Sequence, residues 1–115
     1  QHSLLSLIDH FKKGQLTLET LVEKACHNPA KRFAVKDRGF IREGYHADLV
    51  LVNLNKSTTV SKQNIMYKCG WSPYLNHSFQ SKIEKTIVNG HVIYDGENVI
   101  PSNRLVFPLK FNRNF

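Results

Sequence analysis

A chain of 115 residues, 41% hydrophobic and 10% aromatic, is one domain's worth of ordinary globular sequence, neither disordered nor fibrous. Two cysteines exclude a disulfide scaffold, and no stretch approaches the roughly 18 apolar residues of a membrane span. Sixteen Lys and Arg against nine Asp and Glu give a net charge of +7, which raises nucleic acid or an anionic surface as a partner. The bases, however, come singly or in pairs such as Lys12-Lys13 and Lys31-Arg32, with acids between them. No Arg/Lys stripe interleaves with stacking aromatics, so neither nucleic acid nor a membrane is expected as a partner. The charge reads as a solvated surface whose acidic counterpart lies on other polypeptide. Opening on Gln1-His2 with no initiator Met or signal peptide, the chain reads as one entered partway through something longer.

Leu4, Leu7, Ile8 and Phe11 recur at the spacing of an amphipathic helix over residues 2–13, with Gly14 as its C′ residue. The pattern repeats after Thr17, a predicted N-cap, with Leu18, Leu21, Val22 and Ala25. Asn28-Pro29 predicts a new cap and a short helix over 29–34 that turns Ala30 and Phe33 inward. The run Ala47–Val52, with Asp48 its single charge, has the texture of a strand covered on both faces. Residues 53–82 are polar and rich in turns. Asn89-Gly90 between two β-branched runs predicts a hairpin, because both turn residues must take positive φ. Residues 101–115 show no period and are expected to be irregular. The helical stripes and the doubly covered strand demand more partners than this sequence supplies, so the chain reads as half of a fold.

Chemistry is sparse. The six histidines, His2, His10, His27, His46, His77 and His91, form no HxH, no HExxH and no i, i+4 helical pair, and no CxxC occurs. Cys26 and His27 are neighbours that a helix would point about 100° apart, which makes a poor nucleophile pair. Gly39–Gly44 lacks the following helix N-terminus that would bind phosphate and reads as a turn. Glu19 and Glu23 fit a solvated helix face. No nucleophile, base and electrophilic stabiliser assemble from these residues. No catalytic, cofactor-binding or metal residue is therefore assigned, and Cys26 and Cys69 are expected as reduced thiols.

Two stretches carry a resemblance. Asn28-Pro29-Ala30 followed by Gly39-Phe40-Ile41-Arg42-Glu43-Gly44 and Ala47-Asp48-Leu49-Val50 resembles the closing stretch of the amidohydrolase superfamily. Asn64–Tyr74, with Cys69-Gly70-Trp71-Ser72-Pro73 at its centre, then Phe79, Ser81-Lys82 and Thr86–Tyr94, is similar to the C-terminal end of bacterial dihydroorotases. One departure falls at Asn76, where the related pattern carries Gly; Asn tolerates the left-handed conformation that the turn requires.

The resemblance implies an α+β fragment, with two or three helices from the end of a TIM-type (β/α)8 barrel followed by part of a small β-sandwich. It divides the chain into terminal barrel helices (1–34), the C-terminal part of the sandwich (35–100) and a tail (101–115). It implies a cytoplasmic parent enzyme whose zinc and catalytic residues sit in the barrel and interconvert N-carbamoyl-L-aspartate and L-dihydroorotate. None of those residues maps onto this sequence, so the chain alone is expected to be inactive and to hold no zinc. Its partners would be the remainder of its own enzyme or, through exposed apolar faces, another copy. Other readings are a related cyclic amidohydrolase of the allantoinase or dihydropyrimidinase type, or a non-catalytic sandwich module.

Overall fold

Helix α1 spans Ser3–Lys12 and buries Leu5, Ile8 and Asp9, with Leu4, Leu7 and Phe11 only half-buried. The computed structural model describes residues 1–102 and 107–112. The buried stripe is thus rotated from the expected one, because α1 leans on the β-region through the face that carries Leu5. Leu5 meets Val60 and Phe79, 0% and 1% exposed, with Ile65, Tyr74 and Ile83 packed around them. The helix ends as the sequence predicts: Gly14 takes φ +70°, its N–H donates to Phe11 O, and Gln15 N–H donates to His10 O.

The Thr17 hydroxyl accepts from Thr20 N at 3.1 Å and caps α2, Leu18–Val22. No separate capped helix begins at Asn28. The chain continues through one wide π-turn, Glu23–His27, into α3, Asn28–Arg32, and Asn28 N–H reaches back to Glu23 O. Pro29 has no N–H to give, and the widened turn absorbs it without breaking the helix. Ala30 is buried as expected, whereas Phe33 is 60% exposed, and Leu18 and Ala25 of the second stripe are exposed too.

The β-region holds two antiparallel sheets. In one, β4 (Lys82–Val88) lies between β1 (Leu49–Asn53) and β5 (His91–Tyr94); in the other, β2 (Thr58–Thr59) pairs with β3 (Ser78–Phe79). The β4–β5 hairpin turns on Asn89 at φ +49° and Gly90 at φ +81°, the conformation expected of that pair. Asn76 takes φ +66°, so the left-handed turn survives without Gly.

Strand β1 departs from its expectation. It lies at a sheet edge, and Val50 and Leu51, which point to opposite faces, are each 46% exposed. Among the described residues no second layer covers them. The whole chain exposes 8694 Å², against about 6,500 Å² for a compact monomer of its 13.3 kDa. In the described part of the tail, Phe111 forms one isolated antiparallel bridge with Val35, and the other described residues belong to no helix or strand. Residues 103–106 and 113–115 of the expected irregular tail lie outside the described residues.

Candidate functional site

The two sheets and the start of α1 border a half-open cavity of about 800 Å³, whose walls include His2, Leu5, Thr58, Tyr67, Ile83 and Tyr94. Gln1, which also lines it, is anchored in place. Its side-chain amide donates to Asn64 O at 2.6 Å and accepts from Met66 N at 3.0 Å. His2 is 6% exposed and sits among three aromatic rings, stacked on Phe79 at 5.8 Å and edge-on to Tyr74 at 5.9 Å and Tyr67 at 6.1 Å. Burial, aided by the N-terminal ammonium, holds the imidazole pKa below its usual 6.5. Burial and the acids Asp95 and Glu97 push the Tyr94 phenol up from 10.0. The cavity therefore presents an uncharged imidazole and phenol among apolar walls at neutral pH. It suits packing far better than acid–base chemistry.

A second constellation locks the hairpin. Arg38 donates to the Asp48 carboxylate and, at 3.0 Å, to Asn89 Oδ1; Asp48 also accepts the Asn89 N–H at 2.9 Å. Burial pushes the Asp48 pKa up, but the Asn89 N–H and the Arg38 guanidinium outweigh it and leave the carboxyl below 3.8. The single charge of the Ala47–Val52 run is thus a fastener between the 37–48 loop and the β4–β5 turn.

The other histidines are scattered. His10, His46, His77 and His91 are exposed, and the His27 ring lies flat on Phe40 at 4.3 Å. Cys26 and Cys69 are exposed free thiols. Gly39–Gly44 forms turns with no helix behind it, and Glu19 and Glu23 are exposed. Cys69–Pro73 is a loop in which the buried Ser72 hydroxyl accepts from Tyr74 N at 3.1 Å, while Trp71 is 68% exposed. Among the described residues no group of three or more His, Cys, Asp or Glu could hold a metal ion, and no helix is long and apolar enough to cross a membrane. Sequence reasoning missed the cage around His2 and the buried Asp9. Both lie at positions two residues or one residue off the expected stripe, and their polarity hid them.

Comparison with known proteins gives this scaffold its relatives. The model of the amidohydrolase family matches residues 10–94. A dihydroorotase of Pyrococcus furiosus is 33% identical over 111 residues, covering 94% of this chain and 27% of that protein. An allantoinase of Rubrobacter xylanophilus is likewise 33% identical over 111 residues, covering 94% of this chain and 24% of that protein. Among solved structures, the L-hydantoinase (dihydropyrimidinase) of Arthrobacter aurescens superposes with a TM-score of 0.69 at 31% identity, over 78% of this chain and 20% of that one. The chain thus spans about a quarter of the length of the curated relatives it matches. An α+β arrangement of helices and antiparallel sheets, matched over most of its length in both sequence and structure, places this chain in the amidohydrolase family.

Proposed function

We propose that this chain is the C-terminal portion of a dihydroorotase, a cytoplasmic cyclic amidohydrolase that interconverts N-carbamoyl-L-aspartate and L-dihydroorotate. The observation that carries the reading is the alignment with dihydroorotases across nearly the whole chain, 111 residues in one and 98 in another, from Pyrococcus horikoshii, at 34% identity. The Cys69-Gly70-Trp71-Ser72-Pro73 loop favours the same reading. The allantoinase alignment is equally long and equally identical, so allantoin is the competing substrate.

Zinc belongs to this proposal, but the donors of the described residues do not fit it, since no three of them converge. No step of the reaction is therefore assigned to this chain. Its part is structural. Residues 1–34 end the barrel, 35–100 form part of the sandwich, and the tail from 101 follows. The exposed Val50 and Leu51 on the β1 edge await the remainder of the enzyme, and alone they favour association with a second copy. On this reading the isolated chain binds no zinc and is inactive.

The test uses the longer protein that carries this chain, assayed in turn with dihydroorotate, allantoin and hydantoin. Preferential hydrolysis of dihydroorotate supports the proposal. Preferential hydrolysis of allantoin would replace dihydroorotase by allantoinase, and turnover of none of the three would overturn the reading.

A further inference from the structure

Asn89 is the one asparagine of the sequence followed by glycine. Glycine carries no Cβ to shield its backbone nitrogen from the preceding side chain. The Gly90 nitrogen can therefore attack Asn89 Cγ: an N–C bond forms, ammonia leaves, the N–H proton passes to base, and a five-membered succinimide closes. Water then opens either carbonyl, giving aspartate or isoaspartate. The turn holds both reacting groups elsewhere. Gly90 N–H donates to Ala47 O at 3.0 Å, and Asn89 sits in the left-handed region at φ +49°. The side-chain amide is tied as well, its Oδ1 accepting from Arg38 Nη2 at 3.0 Å. Arg38 is itself fixed by the Asp48 carboxylate, which also accepts Asn89 N–H at 2.9 Å. With the Arg38 side chain only 12% exposed, water competes poorly for these bonds. Nucleophile and electrophile are neighbours in sequence, each tied to a different partner in the fold.

We propose that Asn89 is a site of succinimide-mediated deamidation, and that the Arg38–Asp48 pair restrains the reaction by locking the turn. Either product sets a second carboxylate at this pair, in competition with Asp48 for Arg38. Isoaspartate also adds a backbone carbon to a two-residue turn whose geometry sets the register of β4 and β5. The change thus loosens the 37–48 loop together with the hairpin, and refolding does not reverse it. The inference is independent of the proposed hydrolysis, since it concerns the turn and its fastener alone.

The test incubates the 115-residue chain in mildly alkaline buffer, with and without unfolding urea, and follows Asn89 by peptide mass spectrometry. The folded chain is expected to deamidate at least about tenfold more slowly than the unfolded one. Arg38→Gln is expected to raise the rate in buffer about fivefold or more, because the turn then opens locally. Arg38→Lys keeps the charge without the two-pronged donor and is expected to fall between. Asp9→Ala unties α1 from Gln80 and touches neither turn residue, so it is expected to change the rate less than about twofold. Deamidation in buffer as fast as in urea, or none in either, would overturn the proposal. Equal acceleration by Asp9→Ala and Arg38→Gln would assign the reaction to global unfolding and remove the local restraint. Slower deamidation in Arg38→Gln would make the guanidinium an activator of the amide carbonyl, the reverse of what is proposed.

Discussion

The carboxylate of Asp9 lies 2.9 Å from the backbone nitrogen of Gln80, joining residues 71 positions apart. One turn along α1, Lys12 Nζ donates to the carbonyls of Leu54 at 2.6 Å and Gln80 at 2.8 Å. His77 Nε2 stands 3.6 Å from the second Asp9 oxygen. Helix and sheets are thus joined by polar bonds around the small Leu5–Val60–Phe79 core. Asp9→Ala leaves the Gln80 N–H without its acceptor at a site where Asp9 is 7% exposed, and is expected to cost about 2 kcal/mol. Urea unfolding checks it, and a loss below about 0.5 kcal/mol would show that α1 is held by apolar packing alone.

Helix α3 ends on Ala34 at φ +52°, with Ala34 N–H bonded to Lys31 O and Val35 N–H to Ala30 O. A left-handed terminus of this kind ordinarily carries Gly, since a Cβ there is strained. Ala34→Gly is expected to stabilise the chain by about 1 kcal/mol, although glycine usually destabilises. A lowered melting temperature would contradict it.

Gly39 and Gly44 both take positive φ, +81° and +79°, yet their surroundings differ. A Cβ on Gly39 would come within 2.3 Å of Ala30 Cβ and 3.0 Å of Cys26 O, whereas one on Gly44 would meet nothing within 4 Å. Gly39→Ala is therefore expected to cost more than Gly44→Ala by at least about 1 kcal/mol, the part due to contact rather than backbone strain. Equal losses would mean that the 39–44 loop does not press against α3.

Acid acts on this chain in two windows. The His2 pKa is depressed below 6.5, so the unfolded chain takes up the proton first, and stability falls as pH drops below 6.5. Asp48 is depressed below 3.8, so its contribution is complete above that value and is lost as pH falls through the folded-state pKa. Urea midpoints measured from about pH 8 to about pH 3 are expected to show both losses, with His2→Phe removing the first and Arg38→Gln shrinking the second. A midpoint independent of pH between about 7 and 5 would contradict the caged histidine.

Local signals were legible in the sequence wherever a residue type answers a local backbone demand. Gly14, the Thr17 cap, Asn89-Gly90 and the left-handed Asn76 all stand as the sequence indicates. What escaped depends on distant partners. Leu5 rather than Leu4 and Leu7 points inward because Phe79, 74 positions away, chooses the face of α1. Pro29 reads as a helix start in sequence, yet a π-turn carries the helix through it. The apolar Ala47–Val52 run reads as doubly covered, and in this chain it is an open edge. The cage around His2 was not legible, because aromatic residues from 67 to 79 assemble it only on folding.

The most direct measurement is zinc content and dihydroorotate turnover, made side by side on the 115-residue chain and on the longer protein that carries it. The proposed division of labour predicts zinc and turnover in the longer protein, and neither in this chain. Zinc bound with turnover in the 115-residue chain, or a longer protein that leaves dihydroorotate untouched, would contradict it.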